Sequence, residues 1–208
     1  SNMAAILEAA GADYPAEPVL VLSNRADAAG LGVATAKGVP TAVVESRAFK
    51  GDRAAFEAAL EAELARYGVE IIALAGFMRV LTADFVRRWE GRLINIHPSL
   101  LPAFPGLDTH ARALAAGVRL HGCTVHLVTA GVDEGPILAQ AAVPVLPDDT
   151  EASLAARVLA AEHQLYPAAL SWLAAGHVRL EAGRAIIALA ESASDSLLNP
   201  LPRAVLLS

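Results

Sequence analysis

Apolar residues along this chain gather in short unbroken runs, separated by stretches where they recur at helical spacing. The opening, SNMAAILEAAGA, predicts a helix capped by Ser1 or Asn2, with Met3, Ile6 and Leu7 as its apolar positions. Residues 18–24, PVLVLSN, read as a strand buried on both faces that closes on polar side chains. Residues 27–38 predict a helix and 41–46, TAVVES, a second strand. Over 52–68, Phe56, Leu60 and Leu64 fall four apart on one helical face, and Gly68 supplies the stop. Strands follow at 69–77 and 92–97, with a short helix over 82–89 between them. Strands alternating with helices in this way predict an α/β fold with a parallel sheet.

The pattern then changes. Residues 121–129 and 137–145 predict longer strands joined by AGVDEGP, whose glycines and proline suit a hairpin-like connection. Residues 148–176 predict the longest helix, capped by Asp149 or Thr150 and bent near Pro167. Residues 182–208 read as a strand followed by a loosely ordered tail.

Composition narrows the classes. The 208 residues are 55% hydrophobic and 18% charged, enough apolar material for one sizeable core. A net charge of −6 speaks against a nucleic-acid partner held on a broad basic face. No apolar stretch is long enough to cross a bilayer, so no membrane partner is expected. One cysteine, Cys123, permits no intrachain disulfide and fits a reducing, cytoplasmic setting.

The strand at 92–97 raises the chemical question. Asn95 and His97 stand two apart and so project from the same face, just before Pro98. Ligands of open α/β sheets settle beyond the carboxyl ends of strands, where Asp133 and GFMR (76–79) also fall. Taken singly, Asn95 serves as well for a loop cap, His97 as a satisfied buried histidine, and Asp133 as a turn former. Arg79 alone reads as a solvated side chain, and Cys123 as part of the core. The six histidines show no ligand spacing, so no metal is expected, and Ser99 lacks the setting of a nucleophile elbow. Taken together, Asn95, His97 and Asp133 suit acyl transfer without a covalent intermediate. An amide N–H and a carboxylate-paired imidazolium meet the oxyanion, and the carboxylate receives the proton of an attacking amine.

INIHPSLLPAFPGLDTHARAL and HGCTVHLVTAGVDEGPIL, with SNRADAAGL, AGFMRVL and AAEHQLYP, closely resemble the glycinamide ribonucleotide transformylases. The resemblance runs from Ser1 to about residue 180. It implies an α/β formyltransferase fold, Rossmann-like in its N-terminal half, with a mostly parallel sheet and helices on both faces. It also implies formyl transfer from 10-formyltetrahydrofolate to the amine of glycinamide ribonucleotide. On this reading residues 1–208 form a single domain, with ribonucleotide bound by about 1–95, folate by about 96–181, and 182–208 as a tail. Asn95, His97 and Asp133 would be catalytic. Met78, Arg79, Val80 and Leu81 would line the folate pocket with Asn95, and Thr129, Ala130, Gly131, Val132 and Asp133 would wrap the pteridine. Ser1, Asn2, Arg53 and Glu162 would hold the ribonucleotide, while His110 and His126 take supporting roles.

The family opens with a strand and a Gly-rich turn ending Gly-Ser-Asn, which holds the phosphate at a helix N-terminus. Here Ser1-Asn2 alone corresponds to that turn, so the first strand is expected to be absent ahead of Ser1. A homodimer is the assembly considered. The rivals are a formyltetrahydrofolate hydrolase and, from another class, a non-catalytic folate-binding module. Methionyl-tRNA formyltransferases share HPSLLP but carry a further nucleic-acid-binding domain, and sugar-nucleotide formyltransferases are larger chains.

Overall fold

The structure is a computed structural model, and residues 1–188 are described. Helix α1 (Asn2–Ala9) leads to strand β1 (Val21–Ser23), helix α2 (Ala29–Ala36) and strand β2 (Thr41–Val43). A 3-10 turn, Ser46–Phe49, precedes α3 (Arg53–Arg66), β3 (Ile72–Leu74), α4 (Ala83–Arg88) and β4 (Leu93–His97). Then come α5 (Thr109–Ala115), β5 (Leu120–Leu127), β6 (Ile137–Pro144), α6 (Glu151–Ala174), β7 (Val178–Glu181) and β8 (Arg184–Ile187).

The fold is α/β as expected, and parallel pairing lies in its N-terminal half. β1 pairs with β2 in parallel, and β3 with β4 in parallel. β5 runs antiparallel to β4 and β6 antiparallel to β5, the hairpin foreseen at AGVDEGP. The first three strands are shorter than their apolar runs. Gly76, at φ 70°, turns the chain away soon after Leu74. Helix α6 runs unbroken through Pro167, whose carbonyl accepts the Tyr14 hydroxyl at 2.6 Å. α5 is an element the apolar pattern did not announce. Of the tail, the β7–β8 hairpin covers 178–187, and residues 189–208 lie outside the described residues.

Alternation within β4 shows how both faces are covered. Leu93 packs with Phe56, Leu60, Phe85 and Trp89 of α3 and α4. Its neighbour Ile94 points the other way, onto Ile6 of α1 and Tyr166 and Leu170 of α6. Each such side chain is worth roughly 1.5–3 kcal/mol on burial. The Tyr166 hydroxyl, fully buried, donates to the carbonyls of Leu74 at 2.7 Å and Ile94 at 3.2 Å, which ties α6 across β3 and β4.

The strands form separate sheets. β1–β2 stands apart from β3–β4–β5–β6. Between the facing edges of β1 and β3 lies a cavity of about 640 Å³, bordered by Ser1, Asn2 and Met3 at the start of α1.

Candidate active site

β4 delivers Asn95 and His97 to the wall of a second cavity, of about 540 Å³. Directly across the antiparallel pairing stand His126 opposite Asn95 and Thr124 opposite His97. Asp133 arrives from the β5–β6 turn, with its backbone at φ 56°. Its Oδ2 lies 3.3 Å from His97 Nδ1 and accepts the Gly106 N–H at 2.9 Å. His97 and Asp133, brought by different elements, are thus in contact.

Hydrogen bonding fixes how each group is presented. His97, 6% exposed, has Nε2 at 3.0 Å from the Phe104 carbonyl and Nδ1 towards Asp133. Both ring nitrogens face acceptors, a pattern that a doubly protonated ring satisfies. His126 works in reverse. Its Nδ1–H donates to the Leu127 carbonyl at 2.9 Å, so Nε2 is left as an acceptor and meets the Asn95 amide at 3.4 Å. Burial pushes the His126 pKa down, which keeps this ring neutral and able to accept. One Asn95 N–H is oriented by His126, and the other remains available to a carbonyl oxygen. A register shift between Val125 and His126 sets His126 at this position, in the manner of bulges beside active sites.

The loop after β4 is pinned from beneath. Thr124 Oγ1 donates to the Ser99 carbonyl at 2.7 Å and accepts the Leu101 N–H at 3.0 Å. Gln140 Nε2 reaches both Leu101 O, at 2.8 Å, and Thr124 Oγ1, at 2.9 Å. The Ser99 hydroxyl closes the turn on Ala103 O at 2.6 Å. These contacts hold the Phe104 carbonyl and Gly106 N–H against His97 and Asp133.

The expected folate residues gather as a group. Met78, Arg79, Val80 and Leu81 line the 540 Å³ cavity with Thr129, Ala130, Gly131, Val132 and Asp133. Met78, Val80 and Val132 are large apolar side chains left exposed there, at 77%, 58% and 58%. Such a patch at a cavity mouth marks a binding surface for an apolar ligand. Arg79 turns aside: its Nη1 donates to Ser46 Oγ at 3.1 Å and its guanidinium lies 5.5 Å from the Phe56 ring centre.

Of the ribonucleotide set, Ser1 and Asn2 line the 640 Å³ cavity. Asn2 Nδ2 donates to Glu162 at 2.6 Å, and burial pushes the Glu162 pKa up against that contact. Arg53 opens α3, exposed, and lines neither cavity. The two cavities adjoin, sharing Leu74, Gly76, Phe77 and Leu81 as a common wall.

Sequence reasoning undervalued His126, Thr124 and Gly106. A signal existed for the first two: in HGCTVH, Thr124 and His126 sit two apart, as Asn95 and His97 do. The roles of Gly106 and Phe104 are carried by backbone atoms, which side-chain identity does not advertise. His110 lies at the cavity wall with Nδ1 at 3.2 Å from His121 Nε2, and burial pushes the pKa of both rings down.

Oxyanion donors beside a carboxylate, at the strand ends of an α/β sheet, define an enzyme of acyl transfer. The chain belongs to the formyl transferase family, whose profile matches residues 1–170. It is 44% identical over 181 residues to a phosphoribosylglycinamide formyltransferase of Escherichia coli (strain K12), covering 86% of this chain and 85% of that one. It is 49% identical over 170 residues to the trifunctional purine biosynthetic protein adenosine-3 of Gallus gallus, 81% of this chain but only 17% of that much longer protein. Its fold matches the crystal structure of glycinamide ribonucleotide transformylase 1 from Symbiobacterium toebii with a TM-score of 0.86. That match has 47% identity and covers 89% of this chain and 88% of the other. A formyltetrahydrofolate deformylase from Pseudomonas syringae also shares the fold, at TM-score 0.75 and 25% identity, covering 81% of this chain and 55% of that one.

Proposed function

We propose that this chain transfers the formyl group of 10-formyltetrahydrofolate to the amine of glycinamide ribonucleotide, in purine synthesis. The observation that carries the reading is the meeting of Asn95, His97 and Asp133 in a cavity that shares a wall with a second one. The folate occupies the cavity of Met78–Leu81 and 129–133, and the ribonucleotide lies towards Ser1, Asn2 and Glu162; Arg53, which lines neither cavity, is left out of its contacts. The amine attacks the formyl carbon, forming the new C–N bond and an oxyanion. Asn95 Nδ2–H donates to that oxyanion, and the His97 ring, oriented by Asp133, lies beside it. Asp133, directly or through water, takes the proton lost by the amine. The C–N10 bond then breaks as that proton passes, directly or through water, to the folate nitrogen, which leaves as the neutral amine. No step requires a metal. The unpaired Cys123 thiol supports a reducing, cytoplasmic location.

A second reading, hydrolysis of the formyl-folate, is supported by the likeness to the deformylase. There the same trio would activate water. FPGLDTHARAL resembles the transferases at the point where hydrolases differ, which favours transfer. The deciding experiment measures tetrahydrofolate release from 10-formyltetrahydrofolate with and without glycinamide ribonucleotide. Release that depends on the amine supports transfer. Equal release without it overturns transfer in favour of hydrolysis, and folate binding with no release in either case overturns both.

A further inference from the structure

The wall that presents Met78 and Val80 to the folate cavity is not shaped by its own backbone. Residues 77–81 belong to no helix or strand, and among the described residues no backbone hydrogen bond joins them to the rest of the fold. Phe77 and Leu81 pack onto the core formed by α3 and α4, which holds the ends of the segment in place. That packing does not decide which side chains between them face outward. Two polar contacts do, and both come from behind the cavity.

The first is made by Arg79. Its guanidinium is drawn back onto Ser46 Oγ, at 3.1 Å, and the Phe56 ring, which leaves its neighbours Met78 and Val80 to the cavity. The second lies just past the wall. Glu57 of α3 accepts the Thr82 N–H at 2.6 Å on one carboxyl oxygen and the Thr82 hydroxyl on the other. The same hydroxyl accepts the Phe85 N–H at 3.3 Å, so the first turn of α4 is tied to α3 through one side chain. Ser46, Phe56 and Glu57 line neither of the two adjoining cavities.

Apolar packing does not account for Glu57. It is 3% exposed, and the other buried residues of α3 are Phe56, Leu60 and Leu64. A buried carboxyl group costs more than an apolar side chain of similar size unless its hydrogen bonds are filled. Leucine there would complete the stripe and leave the Thr82 N–H and hydroxyl without their acceptor. The polar residue is explained by what it holds, which is the residue directly after the folate wall.

We propose, resting on the folate reading given above, that Glu57 and Ser46 are positioning residues that set the 78–81 wall against which the formyl-folate lies. Neither touches the ligand or the reacting atoms. Their loss therefore weakens folate binding and leaves the chemical step at saturation in place.

Titration of the full chain with tetrahydrofolate reads the wall without turnover. Glu57→Ala is expected to raise the Kd about 10-fold, the effect of two hydrogen bonds removed beside the wall. Glu57→Gln, which keeps an acceptor for the Thr82 N–H, and Ser46→Ala are each expected to raise it about 3-fold. The folate KM should follow the Kd, while kcat at saturating substrates stays within about 2-fold. Urea unfolding of each variant separates positioning from a merely structural role. A lowered midpoint with the Kd unchanged overturns the proposal, and so does a fall in kcat as large as the rise in Kd. If Glu57→Ala does not fold, Glu57→Gln and Ser46→Ala decide by the same readings. An unmodified chain that does not bind tetrahydrofolate overturns the folate reading and this inference with it. Unmodified-chain affinity in every variant overturns this inference alone.

Discussion

His126 is worth following at the scale of single residues, because it stands beside two groups of the reaction, Asn95 and, at 3.8 Å, Asp133. Its Nδ1–H is committed to the Leu127 carbonyl and its Nε2 accepts from the Asn95 amide at 3.4 Å. His126→Leu removes that acceptor, and kcat is expected to fall about 5- to 10-fold, the kinetic value of one hydrogen bond of roughly 1 kcal/mol. KM for folate should change little, and Asn95→Ala should lose more. His97→Ala removes the ring beside the oxyanion, so turnover is expected to fall by about 10²- to 10³-fold while folate affinity, measured by titration, is nearly kept. Unchanged turnover there would remove His97 from the reaction. The positions of Asn95 and His97 were legible because strand alternation is a rule of backbone geometry. The direction of Arg79 was not. A long side chain goes where tertiary neighbours take it, here to Ser46 and the Phe56 ring.

At the scale of elements, the β5–β6 hairpin carries both His126 and Asp133, and its glycines set how closely the strands approach. A Cβ on Gly135 would lie 1.7 Å from the Leu127 carbonyl oxygen, the acceptor that fixes the His126 ring. Gly135→Ala must push backbone from backbone. It is expected to lower stability by about 1–3 kcal/mol in urea unfolding and to lower turnover as well. α5 adds a pH dependence. His110 of α5 faces His121 of β5, and burial first, then the neighbouring His110 and His97, hold the His121 pKa down at about 4. A ring that is neutral when folded and protonated when unfolded stabilises the fold above its ordinary pKa of about 6.5, and that contribution drains away as pH falls towards 4. Burial lowers the pKa of His110 and His126 too, so their contributions have the same sign. Unfolding free energy should therefore drop on acidification, and His121→Asn should reduce that drop by about 3 kcal/mol. α5 escaped sequence reading because its seven residues bury only Thr109 and Ala113, too little for a visible stripe. It starts at Asp108, held at φ 54°, a conformation that residue type alone does not reveal.

Over the whole molecule, the alternation of strands and helices foretold an α/β body, and the two turn glycines and proline of AGVDEGP foretold where antiparallel pairing begins. What the pattern withheld was which strands meet, since apolar runs of similar make-up are interchangeable until packing selects their neighbours. Leu93 and Ile94, adjacent in sequence, serve two different cores for that reason. The middle of the sheet also holds the only thiol of the chain: Cys123 is 0% exposed, and burial pushes its pKa up to about 12. A protonated, enclosed thiol cannot attack an alkylating or disulfide reagent while β5 stays in place. Its modification rate in native buffer therefore runs as a clock on the opening of β5 from β4 and β6. That rate should be independent of reagent concentration at saturation and should slow when either substrate is bound. Without any added label or probe residue, the chain reports on its own breathing.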